Sequence, residues 1–287
     1  MNAIEIKQLS KSYGASRGII DLSLSVAQGE FFGFIGPNGA GKSTTIRTLL
    51  GLIRADSGSA SIFGKDCARE KEAVLAQIGY LPSEAVFYSG MRVSDVIRLS
   101  ADLRQVDCKS QAMVLCERLA LDTAKKVEEL SFGNRKKVGI VCALQSRPRL
   151  CILDEPTSGL DPLMQREFFE ILKEYHAQGM TVFLSSHILS EIQRNCTRAA
   201  IIREGRIIAC GSVEALSQTN AKRVHIQGDA DLHALPGIRD LQQTDGGSSF
   251  LYSGDIDALL AELSRHHLLD VSIAEPDLEE IFMHYYV

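Results

Sequence analysis

The run Gly36-Pro37-Asn38-Gly39-Ala40-Gly41-Lys42-Ser43-Thr44 has the spacing G-x-x-x-x-G-K-[ST], and it lies between an apolar run, FFGFIG, and a stretch with helical spacing. A triphosphate is held by many backbone N–H groups pointing inward, and Gly36, Gly39 and Gly41 let a loop curl that tightly. The helix that follows aims its positive end at the same anion. Lys42 then reaches the terminal phosphates, and the Ser43 hydroxyl is placed to ligate Mg2+. A phosphate loop alone binds but does not hydrolyse; the metal needs a second anchor. LCILDE supplies one, because four apolar residues end in Asp154, expected to hold Mg2+ through water, and Glu155, expected to orient or deprotonate the attacking water. His187, in LSSHILSE, follows another apolar run, where an imidazole can contact a γ-phosphate and sense its loss. The other histidines (176, 225, 233, 266, 267 and 284) show no paired metal spacing. These residue types point to a nucleoside triphosphate as ligand and Mg2+ as cofactor.

Such residues must be presented by the ends of buried strands, and the flanking sequence has that form. IEIKQL and IIDLSLSV alternate as two strands joined by a polar turn. FFGFIG reads as a buried strand, and KSTTIRTLLGL as a helix with Ile46, Leu49, Leu50 and Ile53 on one face. SASIFG, IGYL, LCILD and TVFLSS read as strands, 162–177 and 188–196 as helices, and AAIIREGRIIACG as a hairpin turning at Glu204-Gly205. Alternating strands and helices predict a mainly parallel sheet. From Arg92 to about Ser146 the pattern is helical throughout, which is too long for a connection and predicts an inserted helical subdomain over about 84–147.

The chain has 287 residues, 45% hydrophobic and 23% charged, enough apolar area for a core and against intrinsic disorder. No apolar stretch approaches the roughly 18–20 residues that cross a bilayer, and no secretory signal is visible. The cysteines number seven with no C-x-x-C pair, which fits reduced thiols in a cytosolic compartment. Net charge is −5, divided as +3 over residues 1–220 and −8 over 221–287. The total gives no reason to expect nucleic acid, and the division predicts a main domain over 1–218 followed by an acidic accessory domain over 219–287. That tail reads as strand (VHIQ), strand (SSFLYS), helix (IDALLAELSRHH), strand (LDVSIAE) and helix (LEEIFMHYY). The stripe Leu278, Ile281, Phe282 and Tyr285 fits core packing better than a membrane contact. The basic residues Lys125, Lys126, Arg135, Lys136, Lys137, Arg147 and Arg149 are expected on solvated helix faces.

Over about residues 3–217 the motifs resemble, in order, those of the nucleotide-binding subunits of ABC transporters. LSFGNRKKV (from Leu130) is similar to the family's signature loop, SGLD (Ser158, Gly159, Leu160, Asp161) to its D-loop, and His187 to its switch histidine. Tyr13, in KSYG, falls where the family stacks a ring on adenine. The resemblance implies an α/β fold of the P-loop NTPase type: a mixed-sheet core, an antiparallel β subdomain, an inserted helical subdomain and here a small C-terminal α/β appendage. It also implies two ATPs sandwiched between head-to-tail subunits, with Ser131 and Gly133 of one facing the γ-phosphate on the other. Two departures stand out. Phe132 replaces a glycine of the signature and Asn134 a glutamine. Ser83, in YLPSE, stands where the family places a glutamine that touches the metal and relays the nucleotide state to the membrane subunit; the shorter serine is expected to weaken the metal contact without abolishing hydrolysis.

The single nucleotide domain with an acidic tail resembles the ATPase subunits of bacterial exporters of the drug, lantibiotic or polysaccharide type, with the permease on a separate chain. The implied partners are that permease and a second ATP-binding subunit, and the implied place is the cytoplasmic face of the membrane. The tail either regulates dimer contact or caps the fold. A soluble ABC ATPase acting on ribosomes or DNA, and an ATP-dependent assembly switch with little hydrolysis, are the alternatives.

Overall fold

A computed structural model describes residues 1–14, 16–217, 222–228, 235–244 and 246–274. The expected terminal helix LEEIFMHYY, its apolar stripe and the 218/219 boundary lie outside these residues. The chain forms two compact units, Met1–Val213 and Glu214–Val287.

In the first unit, the alternating runs form β1 (Asn2–Tyr13) and β2 (Ser16–Ala27), paired antiparallel with Ile4 opposite Val26 and Ile6 opposite Leu24. β3 (Phe31–Ile35) leads through the glycine loop into α1 (Lys42–Leu49). β4 (Ser57–Ile62), β5 (Lys65–Asp66), α2 (Lys71–Leu75) and β6 (Ile78–Leu81) follow. Three helices then intervene: α3 (Val93–Asp102), α4 (Lys109–Arg118) and, after a 3-10 turn at Val127–Glu129, α5 (Phe132–Leu144). The chain returns through β7 (Leu150–Asp154), α6 (Pro162–Ala177), β8 (Thr181–Ser186), α7 (Leu189–Asn195) and the hairpin β9 (Arg198–Arg203) and β10 (Arg206–Ser212). A short α8 (Val213–Ser217) begins at the last residue of this unit and belongs otherwise to the second.

Two sheets result. One is antiparallel, in the order β2-β1-β4-β5; the other runs β10-β9-β3-β8-β7-β6 and is parallel except at β10. β3, β7 and β8 are buried at every residue, as strands inside a parallel sheet are, which is why their middles read as apolar runs, with polar residues only at the ends of β7 and β8. The rings of Phe32, Phe34 and Phe183 pack together across β3 and β8. Because the sheet is parallel, β3, β7 and β8 deliver Gly36, Asp154 and His187 at the same carboxyl edge, where doubly wound sheets bind ligands.

Two expectations are corrected. Lys136 and Lys137 are buried, not solvated, because beyond its first turn α5 packs against α3, α4 and β6; Lys125, Lys126, Arg147 and Arg149 are exposed, but in connecting segments rather than on helix faces, and Arg135 is half-buried. In the second unit, β11 (Lys222–Gly228), β13 (Gly247–Tyr252), α9 (Ile256–Leu263) and β14 (Leu268–Ala274) match the tail's reading, but a further strand, β12 (Ile238–Thr244), lies at one edge of the antiparallel sheet β12-β13-β11-β14. This unit has its own core of Val224, Ile226, Phe250, Tyr252, Leu259 and Leu263. All seven cysteines are free thiols, and Cys210, on β10, is the exposed one.

Candidate active site

The loop after β3 can exist only with glycine at its corners. Gly39 (φ +79°) and Gly41 (φ +111°) take left-handed backbone, and a Cβ on Gly36 would run into the carbonyl of Ile202. Ala40 N–H closes the turn on Pro37 O at 3.1 Å, and Gly41 caps α1, whose first turn carries no acidic residue to cancel its positive end. Pro37, Asn38 and Gly39 are exposed at the rim, while Thr44 is half-buried on the first turn of α1. Lys42 is buried and its Nζ donates to Gly36 O at 2.7 Å and Pro37 O at 3.2 Å.

The acidic strand end arrives at this loop across 111 residues of chain. Ser43 Oγ donates to Asp154 Oδ2 at 2.9 Å, and Ser185 Oγ, one strand over, donates to Asp154 Oδ1 at 3.1 Å. Glu155 Oε1 is 3.4 Å from Lys42 Nζ and 3.2 Å from His187 Nδ1. One carboxylate therefore joins the phosphate-loop lysine to the histidine after β8. Glu155 also takes left-handed backbone (φ +48°), held by its N–H to Ser185 O at 3.0 Å. A non-glycine residue in that conformation stores strain, and such residues concentrate at functional sites.

The donor set suits Mg2+. A serine hydroxyl and a carboxylate are hard oxygen ligands, and the described residues contain no group of three or more His, Cys, Asp or Glu to enclose a cation. An ion here would complete its shell with phosphate oxygens and water, as Mg2+ does.

The segment after Glu155 is fixed from several sides. Ser158 Oγ donates to Glu155 O at 3.1 Å, Asp161 caps α6 through Met164 N–H at 3.0 Å, and Gln165 Nε2 donates to Leu160 O at 3.1 Å. Ser131 caps α5, accepting from Asn134 N–H at 3.3 Å. The Phe132 ring lies against Gly159 so closely that a Cβ on Gly159 would overlap it, and a Cβ on Gly133 would strike Gly159 O. Residues 131–134 thus meet residues 158–161 within one chain. Tyr13 stands apart at the end of β1, half exposed, with Lys11 Nζ 5.7 Å from its ring.

Three features escaped the sequence reading. Ser185 is a second hydroxyl, besides Ser43, that holds the Asp154 carboxylate. Glu191 is buried and accepts from both Thr157 Oγ1 and Ser186 Oγ (2.8 Å), tying the loops that follow β7 and β8. Lys136, only 1% exposed, donates from Nζ to Ser83 O at 2.7 Å and Pro82 O at 3.1 Å, so Ser83 is engaged through its backbone. Burial pushes the Lys136 ammonium down to about 8, while Asp154, Glu155 and Glu84 favour its charge. Burial, helped by Asp154, likewise raises Tyr80 to about 12. In the sequence, Ser185, Ser186 and Glu191 look like an ordinary strand end and helix, and only their convergence gives them roles.

Comparison with known proteins bears on the family and the fold. Residues 19–158 match the family model described as ABC transporter. The chain is 33% identical to the bacitracin transport ATP-binding protein BcrA of Bacillus licheniformis, over 98% of this chain and 96% of the relative. It is 33% identical to the Nod factor export ATP-binding protein I of Rhizobium leguminosarum bv. viciae, over 98% and 94% of the two chains. A solved structure described as the ATP binding subunit of an ABC transporter superposes with a TM-score of 0.71 at 34% identity, covering 75% of this chain and 91% of that one.

Proposed function

The chain belongs to the ABC transporter family as an ATP-binding, ATP-hydrolysing subunit, and from that premise we propose how its residues divide the work. Gly36 to Thr44 cradle the phosphates with backbone N–H groups, and Tyr13 stacks on the adenine. Lys42 exchanges its contact with Glu155 for the γ-phosphate. Ser43 and Asp154, with Ser83 nearby, would hold Mg2+, which when bound offsets charge on the phosphate oxygens. Glu155 orients the attacking water and accepts its proton, while His187 steadies the Glu155 carboxylate and senses the γ-phosphate. In a pair of chains, Ser131 to Asn134 of one subunit face the ATP of the other, with Ser158 to Asp161 alongside. Binding then closes the pair and hydrolysis releases it.

The observation that carries this reading is the 2.9 Å hydrogen bond from Ser43 Oγ to Asp154 Oδ2, which brings the glycine loop and the acidic strand end to one point. The purified chain is expected to turn over ATP with Mg2+, and Glu155→Gln to lower kcat by about 10²–10⁴ while still binding ATP. Equal turnover in the two proteins would sink the assignment, and an inactive wild type would favour an assembly switch.

The energised partner in this reading is a transmembrane permease on a separate chain, with this subunit at the inner face of the membrane. No helix among the described residues is long and apolar enough to cross a membrane. A groove of about 910 Å³ beside α3 exposes Val86, Tyr88, Leu99 and Leu103, an apolar surface suited to a cytoplasmic segment of that permease. The relative named for Nod factor export supports outward transport.

A further inference from the structure

A lysine ammonium with almost no exposure is costly unless its position is used, because burial strips away its water. Lys136 offers its charge to two backbone carbonyls, Pro82 O and Ser83 O, which lie more than fifty residues earlier in the chain. The partners are backbone atoms, so the contact holds whatever side chain residue 83 carries. The surrounding packing points the same way. α5 sits so close to β6 that a Cβ on Gly79 would overlap Ala143 O, and a Cβ on Gly139 would lie 2.7 Å from Leu81 Cδ1. Helix and strand are therefore already in backbone contact just before the loop begins. Three and four residues before Lys136 on α5, Gly133 and Phe132 lie against Gly159 of the D-loop.

We propose that Lys136 is a positioning residue of the hydrolysis cycle: it ties the loop after β6 to the signature helix, so that the loop and the cap of α5 shift together. This rests on the ATPase reading above. The Ser83 side chain is too short to relay the state of the nucleotide by itself, and the tether moves that task to the Ser83 backbone and to α5. The loop continues into Val86 and Tyr88 at the permease-facing groove, while α5 begins at Ser131. One ammonium thus joins the surface offered to the membrane partner to the surface offered to the second ATP.

The test uses the full chain as wild type, Lys136→Met, which keeps the length of the side chain without its donors, and Lys136→Arg, which keeps both. Lys136→Met is expected to bind a fluorescent ATP analogue with Mg2+ as wild type does and to keep KM within about threefold, while kcat falls about ten- to a hundredfold. Amide exchange over residues 83–87 should quicken about tenfold, and Lys136→Arg should recover most of both. Wild-type kcat, or wild-type exchange in that loop, in a folded Lys136→Met protein overturns the proposal. If Lys136→Met does not fold, Lys136→Leu carries the same comparison, and failure of both to fold marks a purely structural lysine and also overturns it. A wild type without ATP turnover would defeat the ATPase reading instead; the exchange experiment needs no hydrolysis and still judges the tether.

Discussion

Phe132 places an aromatic ring in a loop otherwise built of small and polar residues, and it is 42% exposed while resting on Gly159. Gly159 is left-handed (φ +78°), so an alanine there meets both backbone strain and the ring. Gly159→Ala is expected to destabilise the chain by about 1–2 kcal/mol from the backbone alone, with a further cost from the overlap. Removing the ring should relieve only the second part. In a double-mutant cycle with Phe132→Ala, measured by denaturant unfolding, the pair should be less destabilised than the sum of the single changes by about 0.5–3 kcal/mol. Strict additivity would mean that ring and glycine do not press on each other. At this scale the sequence was legible wherever spacing encodes chemistry: Lys42, Ser43, Asp154, Glu155 and His187 could be named, and they stand together. Their supports could not be named. The left-handed backbone of Glu155 and the two hydroxyls on Glu191 depend on neighbours far away in the chain, and no local pattern marks them.

Among the elements, those that read clearly were those whose burial is regular. β3, β7 and β8 are covered on both faces and so are apolar along their middles, turning polar only at their ends (Asp154, Thr181, Ser185, Ser186); β1 and β2 alternate because one face is covered. β12 was missed because IRDLQQT shows no alternation: it is an exposed edge strand whose register shifts between Arg239 and Gln242, with Asp240 left-handed at φ +49°. α5 was read as a helix but given the wrong face, since lysine is rarely buried without a partner and its partners, two backbone carbonyls, are invisible in sequence. The close seating of α5 on β6 has its own test. Gly79→Ala should cost about 1–3 kcal/mol through overpacking against Ala143 and Pro148, seen as a lower denaturation midpoint with an unchanged slope. A midpoint equal to wild type would show that the helix can back away from the strand at no cost.

For the molecule as a whole, the buried thiols set the alkaline limit of stability. Burial pushes Cys67 and Cys151 up to about 12 and Cys142 to about 11 from the usual 9.0, and raises Cys196 as well. Below pH 9 folded and unfolded chains both keep these protons. Above it the unfolded chain releases them first, so the folded state binds more protons and stability falls by about 1.4 kcal/mol per pH unit for each such thiol. Lys136 works in the opposite sense, since its folded value of about 8 lies below the ordinary 10.5 and stability gains as pH rises between them. With Cys108 and Cys116 also raised by burial, six thiols outweigh one amine. The melting temperature should therefore drop from pH 9 to 10.5, less steeply in Cys151→Ala, and a flat or rising profile would refute this.

The lone outward-facing sulfur on β10 has a practical consequence. A maleimide dye offered to the native chain has a single ready point of attachment, on the hairpin strand that closes one edge of the central sheet. The unaltered protein can in this way carry one reporter at a known address, and the distance between two such reporters, with and without ATP, measures whether two subunits close on each other as proposed.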